Sequence, residues 1–370
     1  MIKNIKVENF KSLKDISVQM SNLNLFTGMN GMGKSSLIQV LLLLRQSHTK
    51  NKLFLNGDLI EIGNVKDALC DSRITNEMIF ELQNEDDIFK LNFKFKDKDN
   101  DFFDTGKEIN FKNIALFEEK KFQYLNAERL APKRYNETNF DKINHKQLGK
   151  HGEYAIHYLY ENQHEDIFIE ELAKAITNPY QDVDNIKIDY SLKSQLEAWL
   201  SEVSPNIVTK PEYYRELNIV SSFFAYKQKG KTDTNSYRAT NIGFGISYIL
   251  PVVLSILIAE KDDIVIIENP EAHLHPKGQT ALGELMAIAG QNGVQLFIET
   301  HSDHIFDGIR IATKQGKIQT EKVNVLFFDR DEKEHITKIE KIEIDEDGRF
   351  AKEPPKNFFD EFEINMMKLL

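Results

Sequence analysis

A single cysteine, Cys70, stands in 370 residues, which excludes a disulfide framework and a zinc ribbon and suits a reducing compartment. Long apolar runs are missing too. The two richest stretches, Leu37–Leu44 and Ile246–Ala259, are too short or too interrupted to cross a bilayer. Met1-Ile2-Lys3-Asn4-Ile5 lacks the apolar core of a signal peptide, so a soluble, cytoplasmic protein with no membrane role is expected. Nor is positive charge in excess. The formal net charge is −11, which argues against a globally basic nucleic-acid binder and leaves room only for a local basic groove. Repeats, low-complexity tracts and sustained heptads are absent, and without heptads no long coiled-coil arm is expected. What remains plentiful is core. Hydrophobic residues make up 41% of the chain, enough for two or three ordinary domains or one large α/β domain with insertions.

Periodicity divides the chain. Ile2–Phe10 and Ile16–Phe26 alternate apolar and polar residues around Lys11–Asp15, which predicts a strand pair. Residues 76–125, with Met78–Leu82 and Phe89–Phe95 broken by the charged turn Lys96–Asp101, predict an antiparallel β-subdomain. Helical spacing in Glu153–Glu161 and Asp166–Ile176, with polar connections near Pro179 and Pro205, predicts a helical insertion. A strand returns at Leu217–Tyr226. An α/β alternation follows: helix Ile246–Ala259, strand Ile264–Ile267, helix Gly278–Ala289 and strand Val294–Glu299. That alternation predicts a mostly parallel sheet covered by helices. The expected division is an N-terminal lobe over 1–150, the insertion over 151–215, a C-terminal lobe over 216–325 and a small C-terminal domain over 326–370.

The chemistry begins at Gly28-Met29-Asn30-Gly31-Met32-Gly33-Lys34-Ser35-Ser36, which satisfies G-x-x-x-x-G-K-[ST]. An apolar strand, Leu23–Phe26, enters it and an apolar helix, Leu37–Leu44, leaves it. Loop amides and helix N-terminus therefore point at one spot and cradle a polyphosphate. Lys34 neutralises the β- and γ-phosphates and the Ser35 hydroxyl ligates Mg²⁺. Asn30, Gly31, Gly33 and Ser36 complete the nucleotide-binding set. A second cluster lies downstream. Ile264–Ile267 runs into Glu268-Asn269-Pro270-Glu271, and a carboxylate at the end of such a strand can hold Mg²⁺. The next strand ends Glu299-Thr300-His301. Between these pieces and the loop stands Asn241-Ile242-Gly243-Phe244-Gly245-Ile246-Ser247, whose glycines and serine open an apolar helix with free, anion-seeking amides.

In that order, phosphate loop, glycine-serine helix start, acidic strand and strand-end histidine resemble a prokaryotic ABC-type ATPase of the overcoming-lysogenization-defect and structural-maintenance-of-chromosomes kind. Ile5–Ser12 resembles the opening strand of those heads, Glu268–Pro276 their extended acidic motif, and Asn241–Ser247 with Leu250-Pro251 their signature helix. Ile344–Gly348, Pro354 and Phe358–Glu361 resemble a small C-terminal domain of unknown function found in a subgroup. The resemblance implies a P-loop ATPase head with ATP and Mg²⁺ as cofactors. It implies a homodimer, or a higher assembly, that sandwiches two ATPs. Gly33, Lys34, Ser35, Glu268 and His301 of one subunit would face Gly243, Gly245 and Ser247 of the other, with Lys11 near the loop. Such a head is a ligand-driven two-state switch, and compact relatives resemble ATPase subunits of antiphage systems in which a separate nuclease or toxin is the effector.

The pattern departs from the family in places. The second of the two adjacent acids is here Asn269, an amide that orients water but accepts no proton, so slow turnover is expected. Glu271 is the nearest substitute base, though Pro270 is expected to turn it elsewhere. Asp329-Arg330-Asp331, after the apolar Val323–Phe328, superficially fits a metal-dependent nuclease strand, and a self-contained ATP-dependent nuclease is the alternative function. A DNA-repair or recombination scaffold is a third. A solvated strand end is the competing reading of those acids. His273 and His275 tempt a zinc reading that packing explains as well. Finally, Tyr124–Arg134, with Lys146–His151 nearby, gathers positive charge. Arg129 and Arg134 read either as a solvated turn or as a groove for nucleic acid or an acidic partner.

Overall fold

The computed structural model describes residues 1–73, 75, 77–94, 97–106, 108–111, 114–175, 188–228, 231–331 and 333–369. Phe95, Lys96, Ile176 and Pro179, named above, lie outside the described residues. The chain divides into two units. One comprises Met1–Glu118, Thr320–Asp345 and Arg349–Leu370, and the other Glu119–Gln319 with Glu346–Gly348.

In the first unit, β1 (Asn4–Phe10) pairs antiparallel with β2 (Leu13–Gln19) and with β5 (Glu77–Gln83). The sheet continues through β6 (Ile88–Lys94) and β7 (Phe102–Asp104) to β4 (Lys52–Phe54), which makes the expected antiparallel subdomain. Strict alternation in β5 turns Met78, Phe80 and Leu82 inward. Phe80 meets Phe10 and Phe93 edge-on at ring separations of 5.4 and 5.2 Å, the geometry that aromatic quadrupoles favour. The apolar run Ile16–Phe26 forms two strands rather than one. Asn24 accepts from the Ser21 amide and donates to the Ser21 carbonyl, both at 2.8 Å, and so turns the chain before β3 (Leu23–Thr27). Strand β3 is buried throughout and leads through the glycine loop into α1 (Lys34–Gln46). It pairs parallel with β14 (Val323–Arg330), whose other edge takes β15 (Thr337–Ile342) antiparallel. The short α2 (Val65–Ala68) and the terminal α9 (Glu361–Leu369) complete this unit.

The second unit places β12 (Ile264–Glu268) between two parallel partners, β8 (Phe122–Leu125) and β13 (Gln295–Glu299). Its helices are α3 (Phe140–Asn144), α4 (Ala155–Asn162), α5 (Leu192–Leu200), α6 (Phe244–Leu257), α7 (Pro276–Gln291) and α8 (Asp303–Lys314). A small antiparallel sheet runs β11 (Tyr237–Arg238), β10 (Ile219–Tyr226), β9 (Ile207–Tyr214). A helix over Asp166–Ile176 does not form in the described part. Asp166 bridges Ser191 and the Ile167 amide donates to the Tyr190 carbonyl at 3.0 Å, an extended pairing that leaves only a 3₁₀ turn at Glu170–Leu172. Ile167, Ile169 and Leu172 are buried from that turn, so their spacing served an extended segment. Parallel strands flanked by helices, with an antiparallel β-subdomain, make a P-loop ATPase architecture. Among the described residues no helix is long and apolar enough to cross a membrane.

Candidate functional site

The phosphate loop leaves β3 at Gly28, where φ is 132° and an added Cβ would lie 2.2 Å from the Phe328 carbonyl oxygen. Only glycine meets both conditions. Gly33, at φ 102°, closes the loop onto α1. The first turn of α1 carries no acidic residue and no side-chain cap, so the positive end of the helix meets the loop without an intramolecular counter-charge in that turn. Lys34 is 3% exposed and donates to the Gly28 and Met29 carbonyls, each at 2.8 Å. Asn30 and Gly31 form the exposed crest, while Ser35 and Ser36 are half-buried in the first turn of α1. Lys11, in the β1–β2 turn at φ 51°, donates to Gln39 of α1 at 2.7 Å, and burial lowers its pKa.

In the second unit, Glu268 ends β12. The Tyr124 hydroxyl donates to one of its carboxylate oxygens at 3.0 Å and the Ala127 amide approaches the other at 3.4 Å. Burial raises the pKa of Glu268 and of Tyr124 above their ordinary values. Behind them lies Arg129, 3% exposed, donating to the carbonyls of Asn126 (3.0 Å), Glu268 (2.7 Å) and Asn269. Burial pushes Arg129 down to about 10. Asn269 adopts φ 45°, a conformation that asparagine tolerates, and its amide donates to the Glu299 carbonyl at 2.8 Å. Its Oδ1 is buried with no hydrogen-bond partner, an orphaned acceptor beside a carboxylate.

Glu271 meets the end of β13. Its carboxylate accepts from Thr300 Oγ1 at 2.8 Å and from the His301 amide at 2.7 Å. Glu271 therefore ties the loop after β12 to His301, whose side chain is exposed. His273 lies 4.7 Å from the Tyr248 ring and 5.8 Å from Phe244, and His275 caps α7 through the Lys277 amide. No group of three or more potential metal ligands of the His, Cys, Asp and Glu types occurs among the described residues.

Helix α6 opens at an exposed Gly243, beside which lies open space, and at Phe244, 55% exposed, with no side-chain cap and no acid in its first turn. Gly245 has an intramolecular reason for its identity: a Cβ there would sit 2.7 Å from the His273 carbonyl oxygen. Ser247 lines a pocket with Lys133, His151 and Pro251.

The structure bears on two pairs of alternatives left by the sequence. Arg129 does not belong to a nucleic-acid groove, because its guanidinium is buried and committed to three backbone carbonyls; Arg134 remains exposed. Asp331 is the cap of the β14–β15 turn. It accepts from the Lys333 and Glu334 amides and from Lys338 at 2.7 Å, and the Lys338 ammonium holds it down to about 2. That is the solvated strand end, not a paired-acid metal site. Tyr124 is a site residue that sequence reasoning missed. The apolar run Phe122–Leu125 before the basic loop was the available signal.

A strand–glycine loop–helix cradle and an acid held at the end of a parallel strand define a nucleotide-dependent ATPase. The chain belongs to the family described as "AAA domain, putative AbiEii toxin, Type IV TA system", whose model matches residues 23–307. Residues 318–369 match a second model, "Protein of unknown function (DUF3696)". Among curated proteins no match was found. Solved structures with similar folds include an SMC head bound to the C-terminal winged-helix domain of ScpA, at 12% identity and TM-score 0.49 over 93% of this chain and 98% of that one. The SMC head domain of Thermotoga maritima gives 10% and 0.43 over 93% and 99%. A Pyrococcus furiosus Smc head bound to the C-terminal domain of ScpA gives 10% and 0.48 over 100% and 98%. Likeness at that level assigns neither ligand nor partner.

Proposed function

We propose that the protein is an ATP- and Mg²⁺-dependent switch that hydrolyses ATP slowly, closes as a homodimer and controls a separate effector in the cytoplasm. The observation that carries this reading is the acidic strand end, where Glu268 is held by Tyr124 and followed by a buried amide, Asn269, instead of a second acid. The acidic strand end fits a hard divalent cation. Glu268 is a carboxylate whose burial penalises its charge, and a cation relieves that penalty as a proton would. Within the first unit, Ser35 carries the hydroxyl of the phosphate loop. Bound Mg²⁺ supplies charge neutralisation to the phosphates.

The chain's own groups do the rest. Lys34, steadied on two loop carbonyls, gives its ammonium to the phosphate oxygens, a charge-assisted pairing. Gly33 and the first turn of α1 direct their amides at the phosphates. Asn269 orients water without accepting its proton. Glu271 fixes the backbone of His301 and so acts through it rather than as the base. The exposed, uncapped start of α6, with Gly243, Gly245 and Ser247, is the surface offered to a nucleotide held by the partner subunit. The family description names a toxin and a toxin–antitoxin system, which favours a defence role in which the ATPase restrains or releases a damaging protein.

Steady-state ATP hydrolysis with Mg²⁺, beside Lys34→Ala, tests the first half. Slow turnover that disappears in Lys34→Ala supports it; turnover of many per second would refute the role given to Asn269. Sedimentation of the wild-type chain without nucleotide and with Mg²⁺ and a non-hydrolysable ATP analogue, at a concentration where calorimetry shows the analogue bound, tests the second half. A monomer under both conditions would remove the dimeric switch.

A further inference from the structure

The C-terminal segment of unknown function contacts the phosphate loop through named side chains. Strand β14 brings the Phe328 carbonyl against Gly28. At its end, the Arg330 guanidinium donates to the Gly31 carbonyl. At the start of β15, Thr337 Oγ1 lies 2.9 Å from the Met32 carbonyl and 2.7 Å from Ser12 Oγ. A hydroxyl has one proton, so when Thr337 donates to Met32 it accepts from Ser12. An added Cβ on Gly33 would lie 2.3 Å from that same Thr337 oxygen. The hairpin turn is itself anchored on its far side. Glu334 pairs with Lys14 at 2.9 Å, its carbonyl accepts from Ser72 at 2.9 Å, and the Thr337 amide donates to the Ser12 carbonyl at 2.9 Å.

Peptide planarity gives these contacts a consequence. A carbonyl and the next residue's N–H share one plane and point in opposite directions. Holding the Gly31 and Met32 carbonyls from outside therefore aims the Met32 and Gly33 amides into the cradle, the direction an anion requires. The other half of the loop is held differently. The Gly28 and Met29 carbonyls are held by Lys34, whose ammonium also has to serve the phosphate. The hairpin's hold does not draw on Lys34, so it is independent of the contact that lysine makes with a phosphate.

We propose that Arg330 and Thr337 are positioning residues of the phosphate loop, so that the C-terminal β14–β15 hairpin sets how tightly the loop takes a nucleoside di- or triphosphate. This rests on the nucleotide-binding reading above. The C-terminal segment thereby governs nucleotide affinity, and any partner that displaces the hairpin loosens the nucleotide.

The test is calorimetric titration of the full chain at 25 °C with Mg²⁺-ATP and Mg²⁺-ADP. Thr337→Val, which keeps the shape and removes the hydroxyl, is expected to weaken both nucleotides about fivefold, and Arg330→Met about ten- to a hundredfold. Thr337→Ser restores affinity to within about twofold, since the hydroxyl returns. Phe93→Leu, in the core of the antiparallel sheet, lowers the melting temperature and leaves both affinities unchanged. Affinities for Thr337→Val and Arg330→Met equal to wild type overturn the proposal, as does a loss shared by Phe93→Leu or not rescued by Thr337→Ser. If wild type and Lys34→Ala bind ATP alike, the nucleotide reading itself falls.

Discussion

Arg129→Met removes a buried cation and leaves its apolar stem. Three backbone carbonyls, those of Asn126, Glu268 and Asn269, lose their charged donor at once. A hydrogen bond to a charged group contributes about 1.5–3 kcal/mol, but the three share one guanidinium and do not add. Against the loss stands the cost of burying that guanidinium, visible in its pKa of about 10. Breaking a buried charge network from one side typically costs about 3–5 kcal/mol, and the Glu268 carboxylate loses its nearest compensating charge. That is a large part of the roughly 5–15 kcal/mol that holds a domain folded. Urea unfolding at pH 7.5, followed by far-UV dichroism, is expected to show stability falling by that amount, with ATP turnover lost at temperatures where the variant is folded. Arg129→Lys recovers only part, because one ammonium cannot span the same three carbonyls. A stability change below about 1 kcal/mol together with weakened nucleic-acid binding would refute the reasoning and return Arg129 to the surface.

Glu268→Gln is expected to melt above wild type at pH 8 while abolishing turnover. Burial raises the Glu268 pKa, so its ionisation opposes folding once the pH exceeds the ordinary carboxylate range, and the gain should shrink as the pH falls back toward that range. A difference independent of pH would contradict this. Asp263, just before β12, is raised to about 6 by burial. Its protonated form favours the fold fully below pH 3.8, and that contribution is lost as the pH rises through about 6. Asp263→Asn should accordingly match wild type in thermal scans near pH 4 and exceed it at pH 7. Gly245→Ala drives a methyl to 2.7 Å from the His273 carbonyl. A cost of about 1–3 kcal/mol from displaced backbone is expected, read as a lower melting temperature and reduced ATPase; an unchanged melting temperature would mean the first turn of α6 is free to shift. Tyr124→Phe should cost about 1 kcal/mol of stability and slow hydrolysis without weakening ATP binding, which nucleotide titration checks.

Much of the site was legible because phosphate binding is local chemistry. Gly28–Ser36 places its glycines, lysine and serine within nine residues, and the helices and parallel strands around Glu268 follow the periods of their own side chains. Legibility ended where spacing served two purposes. Asp166–Ile176 carries residues that suit a helix, yet pairing of Ile167 with Tyr190 draws the described part extended. The charges at Arg129 and Arg134 look alike in the sequence; one is buried under Glu268 and the other faces water. Glu271 was expected to turn away after Pro270, and the direction it takes, onto Thr300 and His301, could not be derived from Pro270 alone.

The sequence by itself determined the phosphate loop, the α/β architecture and the acid at the end of a buried strand, since each depends on residues close together in the chain. The tertiary structure decided which side chains hold those pieces in working form. Tyr124 reaches Glu268 across 144 residues because β8 and β12 pair in the register Leu125 to Ile267. Arg330 reaches Gly31 across 299 because β14 lies beside β3 in the register Phe327 to Thr27. Strand register is set by the burial of whole faces, a property of the packed molecule that no single stretch of residues contains.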